Sequence, residues 1–166
     1  MRRPAAMLVM CVMALLTACG GGHATPRPEV TWAAPTPDVT REGVTLSCGG
    51  SDVRLPAISG LEQAGSFARL DSLRRPLEVK GRIWKENDER VYVGVVCGVR
   101  RAEQFATLVP RSRLTLYEGK PALRWTTRTG VHNFMWLERP GTAVYIGATP
   151  GLATEMTPIA NDITSA

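Results

Sequence analysis

Few side chains in this 166-residue chain have the type and spacing for chemistry. A nucleophile activated by a base usually announces itself as GxSxG or SxxK, a zinc hydrolase as HExxH, and a nucleotide phosphate site as a P-loop; the sequence contains none of them. Outside the N-terminal region the one histidine is His132, in GVHNFMW. It would act as a base for a Ser or a carboxylate, but its neighbours alternate as a strand does, and a lone strand His reads as structural. Glu86, Asp88 and Glu89 could hold a cation, yet they lack the spacing and the glycine of a calcium loop, and a solvated hairpin tip accounts for them. Aromatic faces bind sugars and apolar groups, which draws attention to Trp84, Trp125 and Trp136. Alternation sets Trp84 on the polar side of its strand beside Arg82, so Trp84 and Arg82 are the expected ligand contacts. The competing reading covers that side with a helix and packs Trp84 beneath it. Core positions are expected for Trp125 and Trp136. No catalytic residue, cofactor or metal site is expected.

Cysteine is the remaining reactive type, at Cys11, Cys19, Cys48 and Cys97. The first two belong to a distinctive leader. Met1-Arg2-Arg3 is positive, Ala5 to Leu16 is uncharged, and LLTACGGG follows. A membrane span needs about 20 apolar residues, so this run is too short to cross a bilayer, and its order matches a secretory signal peptide. Leu16-Thr17-Ala18-Cys19 resembles the bacterial lipobox. That resemblance implies a diacylglyceryl group on the Cys19 thiol, cleavage just before Cys19, and in many bacteria an acyl chain such as palmitate on the new amine. Residues 1–18 are then a signal peptide, and the resemblance places the protein at the cell membrane, lipid-anchored on its extracytoplasmic face. A cytoplasmic helix is the alternative, and Gly20, Gly21 and Gly22 oppose it, because glycine costs about 1 kcal/mol in a helix interior. A second acyl chain converts marginal membrane binding into stable anchoring.

Residues 19–42 form the expected Gly/Pro-rich linker, with Pro26, Pro28, Pro35 and Pro37 favouring extended polyproline geometry. The formal charge of +5 includes Arg2 and Arg3, and of the remaining basic residues only Lys80, Lys85 and Lys120 are lysines. This modest, scattered excess of arginine suits an anionic envelope surface and does not argue for nucleic acid.

With Cys11 removed and Cys19 acylated, Cys48 and Cys97 remain. An even pair in an exported chain reads as a disulfide. Closing a loop of about 50 residues contributes roughly 4 kcal/mol in the chain-entropy model. Two free thiols or a metal site are the alternatives, and the latter lacks enough histidine for a four-ligand zinc shell.

The elements that must carry these residues follow from periodicity. VTLSC alternates as a strand from Val44 to Cys48. Ser59 and Glu62 match a capping box, which predicts a short helix over about 60–69. PLEVKGRIWKENDERVYVGVVCGV reads as a long hairpin with a polar turn at 86–89, and Cys97 falls on its inward row, as Cys48 does on its own strand. Strands are expected at SRLTLYE, ALRWTTR, HNFMWLE and TAVYIGA. Leu152, Met156, Ile159, Ala160 and Ile163 have helical spacing, with Pro158 as a breaker and Thr157 as a cap. The expected fold is therefore α+β: a mostly antiparallel sheet with a short helix after the first strand and a C-terminal helix, in one extracytoplasmic domain over 43–166. The expected function is a binding or interaction module, contacting an envelope protein or an anionic polymer, with an envelope hydrolase using His132 or a carrier of lipid between sheet and helices as alternatives.

Overall fold

From Val93 to Cys97 every residue is buried. A strand buried on both faces cannot lie on a surface sheet and needs a layer packed against each side. The computed structural model describes residues 43–166 and contains both layers. The expected signal peptide 1–18, the lipidation site Cys19 and the linker 19–42 lie outside the described residues.

β1 (Val44–Cys48) and β2 (Ser51–Leu55) form a hairpin. Five longer strands carry the expected alternation: β4 (Val79–Glu86), β5 (Glu89–Cys97), β7 (Lys120–Thr126), β8 (His132–Arg139) and β9 (Thr142–Ala148). Together with β3 (Glu62–Phe67) and β6 (Arg113–Tyr117) they make a seven-stranded sheet in the order β3-β4-β5-β9-β8-β7-β6, antiparallel at each pairing. β10 (Thr164–Ser165) joins β2 to complete a small sheet, β1-β2-β10. Among the described residues helix is confined to α1 (Ala102–Ala106), a 3₁₀ turn at Pro150–Glu155 and α2 (Met156–Asp162). No helix among the described residues is long and apolar enough to cross a membrane.

The first face of the large sheet presents Trp84, Val91, Val93, Val95, Phe134 and Ile146 to Leu46, Val53 and Leu55 of the small sheet and to Met156 and Ile159 of α2. The second face presents Val79, Val96, Leu123, Met135 and Tyr145 to Phe105, Leu108 and Val109, with Leu70, Leu73 and Leu77 at its margin. Each fully buried aliphatic side chain contributes about 1.5–3 kcal/mol. Cys48 and Cys97 end β1 and β5, and their disulfide, with the Cα atoms 5.4 Å apart, joins the small sheet to the large one. Nearby, the Lys80 ammonium donates to the Ser47 carbonyl at 2.8 Å.

The α+β expectation is corrected: the domain is mostly antiparallel β, in two sheets, and the helix expected after the first strand is absent. That stretch is β3. Glu62 to Ser66 are exposed, so no apolar stripe was available to hold a helix on the core, while the free edge of β4 pairs with Glu62, Gln63, Ser66 and Phe67. A bulge between Gln63 and Gly65 shifts the pairing with β4 by one residue. Phe67 then lays its ring against Gly81, which stands directly opposite Gly94 in the next strand. A Cβ on Gly94 would lie 2.5 Å from the Lys80 carbonyl oxygen, so both positions exclude side chains. A C-terminal helix is present, as α2. Pro158 sits in its first turn, where a missing N–H is harmless. Glu155, rather than Thr157, precedes the helix, and no side chain caps it.

Candidate functional site

The register of two hairpins builds the most distinctive surface feature. Glu118 and Gly119 both take positive φ, 50° and 75°, which is the two-residue turn that suits the twist of a hairpin. It sets Tyr117 opposite Lys120 and, four pairs along, Arg113 opposite Arg124. The next connection is closed by Thr127, whose amide donates to the Val131 carbonyl at 2.9 Å and whose hydroxyl accepts the Val131 amide at 3.1 Å. It sets His132 opposite Thr126. Arg113, Arg124, Thr126 and His132 therefore share the first face, and Ala153, Met156 and Thr157 close an open groove of about 360 Å³ against them.

Like charges directly opposite in a sheet are destabilising. Here two arginines are so placed, and among the described residues neither forms an ion pair. Among the described residues no carboxylate lines the groove. The Arg124 guanidinium lies 4.1 Å from the centre of the Phe134 ring, a cation–π contact that holds its fork over the sheet. A guanidinium held in this way matches the paired oxygens of carboxylate or phosphate. The arrangement can hold an anion. Among the described residues His132 forms no ion pair with a carboxylate.

The expected ligand contacts are elsewhere. Trp84 is only 4% exposed and belongs to the core between the two sheets. The polar side of β4, read from Lys80 and Arg82, faces inward at Trp84, where the small sheet and the C-terminal segment cover it. Arg82 is half-buried, with its Nε unpartnered, and does not line the groove. Trp84 and Arg82 thus form no exposed pair, which corrects that expectation. Trp136 is buried, and its Nε1–H donates to Glu138 at 2.8 Å. Trp125 packs against Tyr145 on the second face, with ring centres 6.1 Å apart.

Glu138 is a structural anchor. Besides Trp136 it accepts the Lys120 ammonium at 2.9 Å and the Ser165 hydroxyl at 2.6 Å, tying β7, β8 and β10 together. Partial burial pushes its carboxyl up, but the hydrogen bonds from Ser165, Lys120 and Trp136, with the charge of Lys120, outweigh that and hold it below its ordinary value. At the other end of the sheet, Glu89 of the acidic turn accepts the Gly151 amide at 3.0 Å and so caps the 3₁₀ turn. No cluster of three or more metal-ligating side chains occurs among the described residues. Arg113 and Arg124 read singly as strand-end arginines. Their pairing was encoded in the two-residue turn, which counts outward from Glu118-Gly119 to both.

Protein-family models, curated protein sequences and solved structures contain no match to this chain.

Proposed function

We propose that this chain is a bacterial lipoprotein whose extracytoplasmic domain is a binding module for an anionic group on an envelope partner, taken up in the Arg113–Arg124–His132 groove. The observation that carries the binding reading is the cross-strand arginine pair without a carboxylate. Such a pair costs stability unless an anion occupies it, and function is the ready reason to keep it. The anchoring reading is supported by the lipobox order Leu16-Thr17-Ala18-Cys19, and the export it requires fits a domain stitched by the Cys48–Cys97 disulfide. Held at a membrane or wall surface, a modestly basic domain meets phosphate- and carboxylate-bearing polymers at high local concentration. The groove offers His132 no carboxylate, which leaves the hydrolase alternative without support. The buried side chains that fill the space between the sheets do the same for the carrier alternative.

Titration of the full chain with inorganic polyphosphate tests the reading. Affinity should fall steeply with added salt, and Arg113→Gln with Arg124→Gln together should weaken it at least tenfold. Equal binding by the wild-type chain and the double variant would overturn it.

A further inference from the structure

The large sheet has two edges, β3 and β6, and they are protected very differently. Natural sheets guard their edges with bulges, charges or proline, because unpaired main-chain groups invite another strand. β3 carries the bulge at Gln63/Gly65, the exposed polar residues Glu62, Gln63 and Ser66, and an ion pair from Glu62 to Lys85 at 3.5 Å. β6, RLTLY, contains no bulge, no proline and no lysine. It also holds the exposed large hydrophobic side chains found among the described residues, Leu114 at 56% and Leu116 at 76%.

The pairing chemistry of this edge is self-complementary. The residues that close a two-residue hairpin turn are hydrogen-bonded to each other, so the main-chain groups of Tyr117 point toward β7. By alternation those of Thr115 and Arg113 do the same, and those of Leu114 and Leu116 point outward. An antiparallel copy of β6 centred on Thr115 brings Leu114 opposite Leu116 of the second copy, and Leu116 opposite its Leu114. Both pairs then use the outward N–H and C=O groups, and all four leucines fall on one face. Charge selects the same orientation. Arg111 and Arg113 lie at the start of this segment and Glu118 at its end, so antiparallel pairing lays each basic end along the acidic end of its mate. Parallel pairing would lay like charges side by side.

We propose that β6 is a homodimer interface, in which two copies of this chain pair edge to edge about Thr115 and merge their seven-stranded sheets. The contact is isologous, so it closes at two, and the bulged β3 edges end the merged sheet at both sides. The dyad runs perpendicular to the sheet. Arg113 of each copy therefore points to the same side, and the two basic grooves flank the dyad on one face. The dimer stands without the anion-binding reading; if both are correct, the pair of grooves gives a bivalent grip on a repeating polymer.

The test uses the full chain, extracted in mild detergent and studied by light scattering across a concentration series, with Cys19→Ser measured in parallel to separate pairing from any effect of the anchor. Wild type and Cys19→Ser should both reach twice the chain mass, and Leu116→Arg, at an exposed position, should return the mass to that of a single chain with the circular dichroism spectrum unchanged. Thr115→Cys should form an intermolecular disulfide on mild oxidation, because the two sulfurs face each other across the dyad, whereas Leu116→Cys should cross-link at least fivefold less. A single-chain mass for Cys19→Ser at every concentration, a dimer that survives Leu116→Arg, or equal cross-linking by the two cysteine variants would overturn the proposal.

Discussion

Both faces of the large sheet carry a buried core, but they are closed by different means. On the first face the cover is another sheet and a helix, fixed to the large sheet by a covalent bond at Cys48–Cys97 and by Glu138, which gathers Lys120, Trp136 and Ser165. On the second the cover is a long connection and the short α1, held by shape: Phe67 occupies the space that two glycines leave, and the Tyr145 hydroxyl donates to Asn133 at 2.7 Å. The first face is held by chain connectivity and charge, the second by interlocking volume. The basic groove opens on the first face, where the cover is anchored and the positions of Arg113 and Arg124 are set by register rather than by a loop.

Breaking each closure should produce a different signature. Removing the disulfide with Cys48→Ala and Cys97→Ala should cost the most, about 4 kcal/mol in the chain-entropy account, read as a lower denaturant midpoint. On the second face, Gly81→Ala and Gly94→Ala should each cost about 1–3 kcal/mol through overpacking. The two should respond differently to a second change. Phe67→Leu should recover part of the Gly81→Ala loss, since a movable ring is the obstacle there, and much less of the Gly94→Ala loss, since a backbone carbonyl stands closest. Equal rescue would show that the Lys80 carbonyl is not the main obstacle at Gly94.

The smallest effect is a pH dependence on the first face. Glu138 titrates below its ordinary value of 4.5 in the folded domain. Its contribution is therefore full above the unfolded value and is lost as the pH falls from about 4.5 through the lower, folded value. Stability curves of wild type and Glu138→Gln should differ at neutral pH and converge in acid. A constant gap between them would remove Glu138 as the pH-sensitive tie.

Much of this was legible in the chain. Strict alternation in VTLSC, in the β4–β5 hairpin and in the later strands located them to within a few residues, and the inward parity of Cys48 and Cys97 anticipated their bond. Alternation failed where both sides of a strand are covered. In β4 the row Lys80, Arg82, Trp84 looks polar at one end, but the cover begins part-way along, so Trp84 lies in the core while Lys80 stays in water. β3 is not legible in the sequence because a local capping signal at Ser59 and Glu62 competes with an unpaired strand edge that only the tertiary fold presents. The arginine pair of the groove was invisible to any search for motifs, since Arg113 and Arg124 are neighbours only through the turn between them.

The proposed envelope-binding function depends on export and anchoring, because a groove that is to meet envelope polymers has to lie outside the cytoplasm. Mass spectrometry of the mature N-terminus is the direct measurement. It should find a chain beginning at Cys19 with a diacylglyceryl thioether on its sulfur. A chain that retains residues 1–18 and carries a free Cys19 thiol would contradict the account.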